Sequence, residues 1–191
     1  MANILLVNCR SWLTVHFGAL TLLAAIGLSG CTAPDSAEST PEPIGDFKLG
    51  FAVVHAHEAK RFPGSREAEP AEMETAMKSA ITEHFKRFDG GKFYHIAATV
   101  TAYNIGNRGI PLIASPASTL SVDVWLWDDA TKAIVNETPH SLLVREPVST
   151  GSVIGSGYFF SKQQQLEVLG RETAMAIEAW LRSDESPIPA N

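Results

Sequence analysis

Cysteine is nearly absent. The 191-residue chain has two, Cys9 and Cys31, which is too few for a disulfide framework, so any folded part must be held by its apolar core. Basic charge is also short. Fifteen Lys and Arg stand against 21 Asp and Glu, a net charge of -6, which is the wrong sign for a protein that neutralises phosphates; nucleic-acid binding is set aside on that ground. No Gly-x-Ser-x-Gly elbow occurs, no Gly-Lys-Ser/Thr follows Gly151, Gly155 and Gly157, and Asp128-Asp129 falls in a turn. The sequence therefore offers neither an activated serine nor a phosphate loop, and no cofactor is expected. No repeat of about 20 to 50 residues is visible, which excludes solenoids and propellers. With 45% hydrophobic residues, the chain has enough to bury one core.

The amino terminus carries a long uncharged run. Ser11 to Leu28 (SWLTVHFGALTLLAAIGL) follows Arg10 and leads into Ser29, Gly30 and Cys31. A cation, an apolar stretch and small residues form the layout of an export signal. A membrane span is the alternative, since about 20 apolar residues cross a bilayer. Thr14, His16, Gly18 and Thr21 weigh against it, and the small pair before cysteine favours cleavage. Leu28-Ser29-Gly30-Cys31 resembles a bacterial lipobox. The resemblance implies that residues 1–30 are removed as a signal peptide and that Cys31 becomes the lipidated first residue, anchoring the chain to a membrane. Cys9 then leaves with the signal. Thr32 in place of Asp resembles, under the sorting rule of enteric bacteria, an outer-membrane destination facing the periplasm.

Residues 31–46 read as lipidated cysteine and tether, because their Pro, Ser, Thr and Glu have almost nothing to bury. Residues 47–182 read as the folded domain and 183–191 as a frayed tail. Within the domain, Phe47, Leu49, Phe51, Val53 and His55 alternate as one face of a first strand ending near Glu58. Pro70 opens a helix whose stripe is Met73, Ala76, Met77, Ala80, Ile81, Phe85 and Phe88, with Gly90 and Gly91 as its stop. Strands follow at Phe93–Ile105 and Leu120–Trp127, then from Ile134, broken by Pro139 and resumed over His140–Arg145. Ser161 and Gln164 form a capping box ahead of a helix carrying Leu166, Leu169, Thr173, Ile177, Trp180 and Leu181 at helical spacing. The expected fold is α+β: a two-layer sandwich of about four mostly antiparallel strands with two helices on one face. With the lipobox, this order is similar to that of small bacterial lipoprotein families and, more remotely, of envelope-assembly and transporter-auxiliary lipoproteins. The resemblance implies an accessory role and carries no catalytic residue.

Helices on one side leave the sheet's second face to be explained. If Leu120, Val122, Val124 and Leu126 point inward, then Ser121, Asp123, Trp125 and Trp127 point outward. If Tyr94, Ile96, Ala98, Val100 and Ala102 are inward, Phe93, His95, Thr99, Thr101 and Tyr103 are outward. Aromatics mixed with hydroxyls and a carboxylate suit a docking surface for a protein, peptide or glycan, with Trp125, Trp127, Tyr103 and Asp123 its candidates. The alternative is a second core closed by loops, among which Gly109–Ser115 and Gly151–Phe160 are apolar. His55-Ala56-His57-Glu58 is the only constellation with metal-ligand character: in an extended strand the two imidazoles lie on one side about 7 Å apart, and His95 or His140 could add a third ligand. The leading expectation is a lipid-anchored, non-enzymatic periplasmic domain binding an envelope component or partner lipoprotein. The alternative is a small metal-dependent hydrolase built on His55 and His57.

Overall fold

The computed structural model describes residues 42–106, 117–147 and 160–189, all in the unit Thr40–Asn191. The lipobox, Cys31, the tether up to residue 41 and the two apolar loops, Phe160 excepted, lie outside the described residues. Six strands and two helices occur among those described: β1 Phe47–His55, β2 Lys60–Arg61, α1 Pro70–Phe85, β3 Lys92–Asn104, β4 Thr119–Asp128, β5 Ala133–Ile134, β6 His140–Arg145 and α2 Lys162–Leu181.

β3 and β4 pair antiparallel through the centre of an open sheet. β1 and the short β2 share the other side of β3, both parallel to it, and β6 and β5 share the other side of β4, both antiparallel. The fold is thus α+β, a mixed sheet with two helices. Leu120, Val122, Val124 and Leu126 are buried as their alternation requires, together with Tyr94, Ile96, Ala98 and Val100 of β3. Both helices pack over that side and form one core with it.

α1 begins at Pro70, where the missing N–H costs nothing, and the Glu69 N–H donates to Glu72 Oε2 at 3.0 Å. Met73, Met77, Ile81 and Phe85 recur every four residues and are all buried. Phe85 sits against Phe47, ring centres 5.6 Å apart, and Phe47 stacks on Tyr94 at the same distance. The helix ends at Phe85 and not at the glycine pair, because Phe88 turns inward to pack edge-on against Phe47. Gly90 serves a close approach instead: its N–H donates to Phe47 O at 2.9 Å, and a Cβ would stand 2.4 Å from Phe47 N.

α2 opens with the expected capping box: Gln164 N–H donates to Ser161 Oγ at 3.2 Å, and Ser161 N–H to Gln164 Oε1 at 2.8 Å. Leu166, Leu169, Thr173, Ile177, Trp180 and Leu181 are all buried. Gly170 lets the helices cross closely, since a Cβ there would lie 3.0 Å from Ala76 O and 3.1 Å from Ala80 Cβ. At one end of this pair Lys162 Nζ meets Glu72 Oε2 at 2.6 Å. At the other, Glu178 gathers His84 (2.5 Å), Arg182 Nε (2.8 Å) and Arg87. Burial pushes the Glu178 carboxyl up, but the hydrogen bonds from Arg182 and His84 and the nearby charge of Arg87 outweigh it and hold the group below its ordinary range.

Two strands break the period-two rule. β1 changes register between Leu49 and Ala52, so the face expected to run from Phe47 to His55 is split. Phe47 points into the core, but beyond the bulge Ala52 and Val54 do so, while Phe51 and His55 are exposed. β3 shifts between Val100 and Ala102. Tyr103, expected on the outer face, is turned inward by that bulge to 5% exposure opposite Leu120. Beyond α2, Ile188 is buried and its side chain lies beside Gly45, and Arg182 donates to Pro43 O at 3.3 Å.

Candidate functional site

The face of the sheet turned away from the helices has its rows set by strand register. His95 stands opposite Trp127, Ala97 opposite Trp125 and Thr99 opposite Asp123. β1 extends the rows with Val53 and His55, and β6 with Ser141 and Leu143. Seven large apolar side chains are exposed among the described residues. Five of them are on this face: Phe51 (54%), Phe93 (47%), Trp127 (36%), Ile134 (54%) and Leu143 (69%). Singly exposed apolar residues are ordinary, but a cluster of them on one face is not.

Four of the five gather at the end of the sheet where β1 and β3 begin and β4 ends. Ile134 pairs with Trp127, and Phe51 lies flat on the His95 ring, centres 3.7 Å apart and planes 20° from parallel. The bulge in β1 builds this stack. Gly50 passes so close that a Cβ would lie 2.2 Å from His95 Cε1, which places the Phe51 N–H 3.1 Å from His95 Nδ1. Nδ1 therefore accepts, and the ring proton sits on Nε2, 3.2 Å from Asp129 Oδ1. Lys132 Nζ reaches the same oxygen at 2.7 Å. Its hydrogen bond, then that of His95, keeps the Asp129 carboxyl below the usual carboxylate range. Lys48 Nζ stands 5.6 Å from the Phe93 ring centre and pairs with Asp89, whose carboxyl is lowered by that bond.

Further along the face the chemistry is polar. Ser141 Oγ donates to Asp123 Oδ1 at 2.6 Å, and Thr101 Oγ1 to Ser121 O at 3.2 Å. Trp125 is half-buried there. The structure thus brings Trp125, Trp127 and Asp123 onto one surface and removes Tyr103 from it. It does not assemble the three histidines into a metal centre. His57 is exposed and 3.5 Å from Glu74, both ring nitrogens of His95 have partners, and His140 stacks on Trp180 with ring centres 4.6 Å apart. Among the described residues no group of three or more His, Cys, Asp or Glu is placed to hold a metal ion.

Sequence reasoning missed three features. Asn136 takes the place of a strand residue between β5 and β6: Leu126 N–H donates to its Oδ1 at 2.7 Å, and its Nδ2 donates to Val124 O at 3.1 Å. At the far end of the sheet a buried polar junction joins Ile105 N–H to Ser65 Oγ (2.8 Å), Gly106 N–H to Ser118 Oγ (3.0 Å) and Ser118 N–H to Glu146 Oε2 (3.3 Å). Serine hydroxyls at a strand end are the only trace that the junction leaves in sequence. The third is a groove of about 680 Å³ on the helix layer, floored by Ala76, Ala80 and Leu166. It contains none of the candidate site residues, and its floor is made of residues that the helical stripes assign to packing.

No family model and no curated protein matches the chain. Among solved structures it is similar to a Xanthomonas campestris protein of family DUF330 at 18% identity and a TM-score of 0.40, over 69% of this chain and 84% of that one. It is also similar to a minor lipoprotein of Acinetobacter baumannii at 14% identity and a TM-score of 0.31, over 71% and 94%. A third is the PelC dodecamer of Paraburkholderia phytofirmans at 11% identity and a TM-score of 0.31, over 69% and 90%. These are likenesses of outline, and the site stands on its own residues.

Proposed function

We propose that this chain is a lipid-anchored domain of the bacterial envelope, held at the outer membrane and facing the periplasm, that binds an envelope component and does not act as an enzyme. The observation that carries the reading is Leu28-Ser29-Gly30-Cys31, set directly after an uncharged run of apolar character and before a stretch of Pro, Ser, Thr and Glu. Acyl chains contribute about 0.8 kcal/mol per buried CH₂, so two or more of them on Cys31 make a stable anchor. The working surface is the open sheet face with Trp125, Trp127 and Asp123. Its clustered apolar side chains support binding, and its carboxylates are engaged by Lys132, Lys48 and Ser141. The test is metabolic labelling with a radioactive fatty acid. The wild type should incorporate label and mature at Cys31, whereas Cys31→Ala should take up none and keep its signal. An unlabelled wild type, or a normally processed variant, would contradict the anchor.

A further inference from the structure

We infer that the apolar end of the open face rests in the interfacial layer of the membrane that holds the anchor, so that the bilayer itself occupies Phe51, Phe93, Trp127 and Ile134. The inference rests on the lipoprotein reading above and adds an orientation to it. Three observations carry it, and the first is position. Phe47 pairs with Lys92, and Tyr94 with Asp128, so the beginnings of β1 and β3 and the end of β4 form one end of the sheet. The exposed aromatics lie at this end, which is also where the amino-terminal segment joins the domain. From Cys31 to Glu42 the chain reaches at most about 40 Å when fully extended, and Arg182 holds Pro43 at this same end of the domain, so an anchor at Cys31 lets this end come down onto lipid.

The second observation is side-chain type. Phe, Trp and Ile with lysine stems beside them suit the boundary between headgroups and acyl chains, where rings bury their apolar bodies and long cations reach back to water. Lys48 beside Phe93, and Lys132 bonded to Asp129 next to the His95 and Phe51 rings, are placed that way. The third is charge. Lys48 is paired with Asp89 and Lys132 with Asp129, so the two lysines beside the rings are each balanced by a carboxylate. Contact of this kind is apolar and should survive high salt, unlike adsorption through a basic surface.

The mature lipidated protein supplies its own test, because modification of Cys31 leaves an introduced cysteine as its single free thiol. Phe93→Cys and, as reference, Met175→Cys on α2, each at an exposed position, are spin-labelled in the intact lipoprotein. Both are reconstituted into vesicles of phosphatidylethanolamine and phosphatidylglycerol. At position 93 the label should shift towards oxygen accessibility and away from a water-soluble nickel complex, with no change in strong salt; at 175 it should stay aqueous. Adding Phe51→Ser and Trp127→Ser should return the label at 93 to its aqueous value while the protein still floats with the vesicles. If the protein floats but the label at 93 is as aqueous as that at 175, the membrane seat is overturned and the anchor stands. A label at 93 shielded from both reagents means that a second copy of the protein covers the face, which also overturns the seat. Protein that does not float with vesicles overturns the anchor and the seat together.

Discussion

Trp180 and Trp127 share a side chain and have opposite surroundings. Trp180, on α2, is 5% exposed and stacked on the His140 ring, and Trp127 is 36% exposed beside Ile134. Truncating a buried tryptophan costs about 3 to 5 kcal/mol through lost burial and the cavity left behind. Trp180→Ala should lose that much in denaturant unfolding, while Trp127→Ala should lose about 1 kcal/mol or less, as exposed positions do. Equal losses would make Trp127 part of a core and remove it from the site. Both orientations were legible in the sequence: Trp180 lies on a stripe spaced for a helix, and Trp127 alternates with buried Leu126. Tyr103 was not, because counting by twos fails after the bulge at Val100–Ala102 inserts an extra residue.

The helix layer is fastened where Glu178 of α2 meets His84 and Arg87, the one on α1 and the other just past its end. The folded-state pKa of Glu178 is lowered. The stability it contributes is therefore present above the unfolded carboxylate value and is lost as pH falls through the folded one. Glu178→Gln should cost about 1 to 2 kcal/mol near neutrality, less than a fully buried ion pair because Arg87 and Arg182 are partly exposed. The gap in melting temperature between wild type and variant should narrow as pH drops below about 4.5. A gap that does not change with pH would mean the bonds act through shape alone. The Ser161–Gln164 cap and both helical stripes could be read directly from residue spacing. The end of α1 could not, since the turn at Phe88 depends on Phe47 from a distant strand. Gly50 was the one local sign that β1 would bulge, because a glycine inside a strand marks either a bulge or a close backbone approach. Here it marks both.

At the scale of the molecule, strand and helix order was enough to give an α+β sandwich with one covered face. It did not give the parallel pairing of β1 with β3 or the sharing of each central strand's side by two shorter strands. Pairing partners are chosen by tertiary packing, and a single sequence does not display it. The consequence for function is that, among the described residues, the surface opposite the helices holds five of the seven exposed large apolar side chains, most of them at the end where the amino-terminal segment joins. On this view the open face is covered when the protein sits in its native envelope. Hydroxyl-radical footprinting of the mature protein reads this out, comparing native envelopes with detergent-purified protein. Phe51, Phe93 and Trp127 should be modified several-fold less in the envelope, while Met175, exposed on α2, should react alike in both. Equal modification of all four in the two preparations would contradict the claim.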